Sequence, residues 1–284
     1  MVKLLLRRGA EVCDVDCHGK TPLHCGSMKG SIGVIEFLLL EGAPVDAVDN
    51  FLSTPLHVAA GEGNNEAVKL LIVWGADINA RDEDHLTPLH YAAKYGRTKV
   101  ADTLIAGGAN VDAKDMETWT PLHYTSYNGH KDTADVLLQR GADVKSLTAY
   151  SNSHLHFAAM RIHPPVVETL LSHGAPVDQC NNANITALIM VAKAGHVGIV
   201  RKLVKHGADV NTKDSHKRNA LHYAAEKGHL LVAGILLDYS VDTDVKDREG
   251  DLPIQLALKN NHHSTATVIY NAMKQSSSCM CTIQ

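Results

Sequence analysis

An all-α solenoid of stacked helix-turn-helix units joined by hairpin loops is the fold this sequence predicts, and three observations predict it. The first is a tetrapeptide, Thr21-Pro22-Leu23-His24, which returns at Thr54-Pro55-Leu56-His57, Thr87-Pro88-Leu89-His90 and Thr120-Pro121-Leu122-His123, 33 residues apart each time. The second is a series of degraded copies in the same register: Ser153-His154-Leu155-His156, Thr186-Ala187-Leu188-Ile189, Asn219-Ala220-Leu221-His222 and Leu252-Pro253-Ile254-Gln255. The third is a recurring glycine after each of two apolar-periodic segments, as at Gly63 and Gly75. No insertion or deletion interrupts the eight copies. A fixed period of this length marks an array of supersecondary units, none of which buries its apolar face without a neighbour.

Each element has a local cause. Thr suits the N-cap, its hydroxyl accepting a bond from an orphan backbone N–H. Pro takes the first helical position, where its missing N–H costs nothing and its fixed φ already suits a helix. Leu is the first core residue, and small pairs such as Ala59-Ala60, Ala92-Ala93, Ala158-Ala159 and Ala224-Ala225 let the next helix approach closely. The first helix stops at Gly30, Gly63, Gly96, Gly129, Gly195 or Gly228, as a left-handed C-terminal position requires. A second helix follows, for example Val68-Lys69-Leu70-Leu71-Ile72, and ends at Gly42, Gly75, Gly108, Gly141, Gly174 or Gly207. A turn with Asp at Asp49, Asp82, Asp115, Asp214 or Asp247 leads into the next unit.

The 33-residue period and the Thr-Pro-Leu-His-x-Ala pattern, as at Thr54 to Ala59, resemble the ankyrin repeats over nearly the whole chain. The organisation expected is a half repeat over residues 1–16, eight repeats over 17–271 with starts at 17, 50, 83, 116, 149, 182, 215 and 248, and a flexible tail over 272–284. The resemblance implies that the tetrapeptide histidines His24, His57, His90, His123, His156 and His222 are structural groups linking neighbouring loops. It also implies that a protein partner meets the hairpin tips and the exposed side of the first helices.

Composition narrows the function classes. The formal net charge is −4, with no basic arm, so no electrostatic footprint for nucleic acid is expected. No apolar run is long enough to span a bilayer, and the six cysteines form no disulfide-like framework. A reduced cytoplasmic setting and a monomer are expected. Catalytic constellations are absent. Gly61-Glu62-Gly63 resembles a piece of a phosphate loop but falls in an inter-helix turn with no strand before it. Cys13, Cys17, His18, His24 and Cys25 crowd together, yet their spacing is not that of a zinc finger and His24 already has a repeat role. No enzyme, cofactor or metal is expected.

The surface therefore carries the functional reading. The residue before each tetrapeptide is a tip position, reading Lys20, Ser53, Leu86, Trp119, Asn152, Ile185, Arg218 and Asp251. Apolar and aromatic residues at solvated tips are candidate hot spots, with Trp among the most favoured. Phe51, Leu86, Met116, Trp119 and Tyr150 at the tips, with Tyr95, Tyr127, Asn128, Met160 and Arg161 on adjoining helix ends, outline an expected partner groove over the third to fifth repeats. Asn79 and Asn211, each eight residues after a leucine, resemble the sites used by an asparaginyl hydroxylase on ankyrin repeats.

Three departures stand out. In the fifth repeat Ile162 replaces the inter-helix glycine and Pro164-Pro165 opens the second helix, so a rearranged loop is expected there, because a β-branched residue is poorly suited to a left-handed position. Ser240 replaces the second glycine of the seventh repeat. The last repeat turns polar at Asn260, Asn261 and Thr265, as an end cap requires.

The ends carry their own expectations. Val2 to Val12 reads as a second helix and turn without a first helix, with Leu4 to Leu6 exposed. A fragment, an isoform or an incomplete gene product explains this, and so does a partner covering the surface. Cys281-Thr282-Ile283-Gln284 matches a prenylation box of the farnesyl type, with Cys279 available for palmitate. Two readings result: a self-contained adaptor or scaffold tethered to membrane only through its tail, or the recognition half of a kinase-linked or death-domain-linked signalling protein in the cytosol.

Overall fold

The computed structural model describes residues 8–280, with side chains through Gln275. The chain divides into two compact units, Met1–Ser146 and Leu147–Gln284. Sixteen helices lie among the described residues.

In the first unit the helices come in four pairs: α1 (Pro22–Lys29) and α2 (Ile32–Leu40), α3 (Pro55–Glu62) and α4 (Asn65–Val73), α5 (Pro88–Lys94) and α6 (Thr98–Ala106), α7 (Pro121–Asn128) and α8 (Lys131–Gln139). The first helices α1, α3, α5 and α7 stack in one layer and the second helices α2, α4, α6 and α8 in another. The second unit repeats the plan with α9 (His154–Met160) and α10 (Pro164–Ser172), α11 (Ala187–Ala194) and α12 (Val197–Lys205), α13 (Ala220–Glu226) and α14 (Leu230–Asp238), α15 (Pro253–Lys259) and α16 (His263–Met280). Within this unit the first helices stack in one layer and the second helices in another. The tetrapeptide leucines Leu23, Leu56, Leu89 and Leu122 are fully buried between helices. Each contributes roughly 1.5–3 kcal/mol relative to exposure. The alanine pairs behind them are buried as well, so the first helices approach across small side chains.

The cap is more reciprocal than the threonine alone suggests. Thr54 is extended, its hydroxyl accepts the His57 N–H at 3.4 Å, and the Thr54 backbone N–H donates to His57 Nδ1 at the shorter distance of 3.1 Å. An Nδ1 that accepts an N–H carries no proton, so the ring proton sits on Nε2. From there it donates to the Leu86 carbonyl in the next loop at 3.0 Å. His24 does the same toward Ser53 and His90 toward Trp119, at 2.9 and 3.1 Å. His156 bonds Ile185 in the second unit, while His222 reaches Val245. Burial holds these five histidines below the ordinary imidazole range, His90 as far down as about 4. The linking role implied for them is therefore met by a neutral, defined tautomer.

The loops fold back as hairpins closed by turns instead of ladders. Leu52 N–H bonds Asp49 O and Asp49 N–H bonds Ser53 O, both at 3.0 Å. Neighbouring tips share one backbone bond, as in Glu83 N–H to Phe51 O at 3.0 Å and Met116 N–H to Asp84 O at 3.1 Å. One bond per neighbour is too few for a strand, and among the described residues the only bridge is Leu147 with Ser153.

Three expectations are corrected. Ile162 does not rearrange its loop. It adopts φ +62°, and the following His163 N–H bonds Ala158 O at 2.9 Å, as Ser31 N–H bonds Gly26 O after Gly30. The backbone bonds of the helix end hold the glycine geometry, and the isoleucine bears the strain. Thr265 belongs to the core at 2% exposure instead of to a polar cap. The final helix α16 continues through Met280 where irregular chain was expected from residue 272, since no glycine or proline interrupts that stretch. Leu4 to Leu6 and Cys281 lie outside the described residues, which leave out residues 1–7 of the N-terminal half repeat.

Candidate interaction surface

Trp119 follows Asp115, whose Oδ1 accepts the Trp119 N–H at 2.8 Å. That turn brings the indole over α7, where its ring lies 5.2 Å from Tyr124 and 5.6 Å, edge-on, from Tyr127. Trp119 and Tyr127 are half-buried in an aromatic cluster and are not free tips. Leu86 is a clearer correction: at 7% exposure it packs inward, and its carbonyl holds the His57 ring. The residue before the tetrapeptide faces the next hairpin, so an apolar side chain there is drawn into the stack.

Other expected residues do face solvent in the first unit. Phe51, Tyr95 and Met116 are exposed at 53%, 48% and 62%. Lys94 Nζ lies 5.7 Å from the centre of the Tyr95 ring, within cation–π range. Asn128 is exposed, with its Nδ2 donating to Tyr124 O at 2.9 Å. Between the tips and α3 and α5 lies a pocket of about 630 Å³ lined by Phe51, Glu62, Asp82, Glu83, Tyr91 and Tyr95 among others. Phe51 and Tyr95 are expected at this face from the sequence, whereas the acids and Tyr91 are not. One signal was visible: Gly61 stands where other repeats carry Met28, Lys94, Tyr127, Met160, Lys193, Glu226 and Lys259. Gly61 lies inside α3 and not in the inter-helix turn.

In the second unit Tyr150, Met160 and Arg161 are exposed. Met160 borders a pocket of about 230 Å³ with Ile185, Met190, Lys193 and Tyr223.

The floor beneath the tips is acidic and ordered. Asp82 and Asp115 are buried, and their second oxygens accept Tyr91 and Tyr124 hydroxyls at 2.8 and 2.7 Å. Tyr223 donates to Asp214 in the second unit in the same way. Burial, and then the adjacent carboxylate, raises all three phenols above the ordinary tyrosine range. They stay protonated donors at any physiological pH.

Asn79 and Asn211 also have defined partners. Asn79 Oδ1 accepts the Asn110 N–H at 2.8 Å and Asn211 Oδ1 the Asp242 N–H at 2.7 Å. Asp46, Asp112 and Asp178 play the same part toward Asp77, Asp143 and Asp209. This series of loop-to-loop bonds was not read from the sequence, although the residues share one register slot. His130 and His229, after the inter-helix glycine, bond Lys94 O and Lys193 O. Asn64 and Arg97 fill that slot in other repeats, bonding Met28 O and Gly61 O.

At the N-terminal end Cys13, Cys17 and Cys25 are exposed, while His24 is buried with both ring nitrogens bonded. Among the described residues no group of three His, Cys, Asp or Glu is arranged to hold a metal. No described helix is long and apolar enough to cross a membrane.

The family model for ankyrin repeats in three copies matches residues 27–115, 56–148, 155–247 and 213–279. The solved ankyrin repeat domain of Bcl-3, described as a unique member of the IkappaB protein family, is similar at a TM-score of 0.70 and 26% identity. The match covers 77% of this chain and 98% of that one. No curated protein sequence matches the chain.

Proposed function

The chain belongs to the ankyrin repeat family, and from that premise we propose that it is a non-catalytic adaptor or scaffold whose protein partner lies on the tip face of the first helices. The observation that carries the reading is the tip face of the first unit. Phe51, Tyr95 and Met116 stand exposed beside an acidic pocket, and the same unit carries the Trp119–Tyr124–Tyr127 cluster. Large apolar side chains held on ordered turns lose little entropy on binding, which suits them as anchors. In the second unit Tyr150, Met160 and Arg161 are candidate contacts of the same kind.

A photo-crosslinking residue placed at Met116 should capture the partner in cells, whereas the same residue at Lys69, on the second-helix face, should not. Trp119→Ala should reduce capture at least tenfold while the chain stays folded. Equal capture from both positions would sink the reading. The reading extends to a tail tether: where Gln284 is the C-terminus, Cys281 is a farnesyl acceptor and Cys279 a second lipid site. Intact mass and membrane fractionation against Cys281→Ser test this, and equal fractionation of the two proteins without an adduct would remove the tether. Hydroxylation of Asn79 and Asn211 is the remaining modification the sequence suggests, read by mass spectrometry of the same protein.

A further inference from the structure

The buried aspartates at the start of each turn are used alike except in one repeat. Oδ1 accepts backbone N–H groups of its own turn, and Oδ2 accepts a side-chain donor. That donor is the Tyr91 hydroxyl for Asp82, Tyr124 for Asp115 and Tyr223 for Asp214, and the Arg218 guanidinium at 2.9 Å for Asp247. Asp49 departs from this. At 6% exposure it is as buried as the rest, and its Oδ1 accepts Phe51 N–H at 2.9 Å and Ser53 N–H at 3.0 Å. Its Oδ2 accepts a hydrogen bond from none of the described residues. The cause is in the sequence: nine residues on, where Tyr91, Tyr124 and Tyr223 serve three of the other aspartates, stands Val58.

A second substitution in the same helix removes a side chain from the same pocket. Gly61 has no side chain, and a Cβ built there would lie 3.2 Å from Tyr91 Cδ1 and 3.6 Å from Tyr95 Cδ2. Asp49, Val58 and Gly61 all line the pocket of about 630 Å³ on this face. Its acids are Asp49, Glu62, Asp82, Glu83 and Asp84, against Lys20 and Arg97. Arg97 is committed, its Nε donating to Gly61 O at 2.8 Å. Lys20 occupies the slot that Arg218 holds in the seventh repeat, yet it forms no ion pair among the described residues. The pocket therefore carries excess negative charge, an oxygen of a buried aspartate that takes no hydrogen bond from the described residues, and the rings of Phe51, Tyr91 and Tyr95 on its walls.

We propose that this pocket seats an arginine side chain presented by the partner protein. A guanidinium offers donors in a planar fork, so one N–H reaches Asp49 Oδ2 while others meet the acids at the mouth. Its flat face stacks on tyrosine or phenylalanine, which a compact, strongly hydrated lysine ammonium does less well. The partner's arginine would take the place that a tyrosine hydroxyl fills in neighbouring repeats. This rests on the interaction-module reading and names the anchor of that partner.

The test titrates the full chain with acetyl-Gly-Gly-Arg-Gly-Gly-amide and with the same peptide carrying citrulline or lysine, following the backbone amides of Phe51 and Ser53 by NMR. Saturable shifts are expected with arginine, with at least tenfold weaker binding for citrulline and a smaller loss for lysine. Val58→Tyr supplies Asp49 with the phenol its neighbours have, so it should fold at least as well while losing the arginine peptide at least tenfold. Asp49→Asn should lose it similarly. Lys20→Met removes a like charge and should bind at least as tightly as the unaltered chain. No saturable shift with arginine, equal binding of citrulline, undiminished binding by Val58→Tyr, or lost binding by Lys20→Met would each overturn the proposal. The two readings fail separately. Partner adducts at position 116 without any arginine-peptide shift remove the arginine seat alone, whereas absent adducts remove the module.

Discussion

Replacing His90 by glutamine separates the two bonds that its ring makes and removes its proton chemistry. Gln255 already fills this slot in the last repeat, its Oε1 accepting the Leu252 N–H at 2.7 Å. His90→Gln should keep the bond from the Thr87 N–H and lose the one from Nε2 to the Trp119 carbonyl, at a cost of about 1–2 kcal/mol at pH 7.5. The pH dependence is the sharper reading. Burial lowers the folded pKa of His90 from 6.5 to about 4, so the folded chain favours the neutral ring. The contribution is therefore complete above pH 6.5 and is lost as pH falls toward 4, because the unfolded chain takes up the proton first. For one such group the loss reaches about 2 kcal/mol at pH 5. At 1% exposure the ring is too buried for solvent screening to reduce this much. Urea unfolding of both proteins at pH 7.5 and 5.0, followed by tryptophan fluorescence, should show a stability drop about 2 kcal/mol smaller in the variant, bringing the two proteins together in acid. Equal drops would refute the tautomer assignment and the neutral ring with it.

Tyr124→Phe leaves the buried Asp115 carboxylate without its hydroxyl donor and should cost about 1.5–3 kcal/mol by urea unfolding at neutral pH. Ile162→Gly removes the left-handed strain of a β-branched residue and should raise stability by about 0.5–1 kcal/mol after the added freedom of glycine in the unfolded chain, so a loss of stability would show the strain is absent. Asn79→Ala should cost about 1 kcal/mol, whereas Asn79→Asp, matching Asp46 and Asp112, should change stability by less than about 0.5 kcal/mol.

Much of the fold was legible because backbone needs recur with the period. A Pro at the first helical position, a buried Leu and a glycine at positive φ each follow from one local constraint, and one repeat teaches the next. Side chains whose role depends on two repeats at once were harder. Leu86 looked like an exposed hot spot because its own turn is at the surface, yet the neighbouring hairpin covers it. Ile162 looked incompatible with its position because local propensity was weighed without the helix-end backbone bonds that override it. The acidic pocket was missed for the opposite reason. It arises from what Val58 and Gly61 lack, and a missing hydroxyl or side chain shows only when slots are compared down the array. Phe51, Tyr95 and Met116 were found because an exposed aromatic or thioether side chain announces itself.

The bonds between repeats also constrain how such a chain can change length. His24, His57 and His90 each reach a carbonyl 29 residues ahead, Asp46 and Asn79 an N–H 31 ahead, and Asn64 and Arg97 a carbonyl 36 behind. A recombination that removes or duplicates one whole period keeps these three spacings, because each bond runs between fixed slots of the repeat. A change of any other length misaligns all three series together. Genomic gain and loss in this array is thereby quantised: viable lengths differ by whole repeats, and partner specificity travels with the individual unit that is copied or discarded.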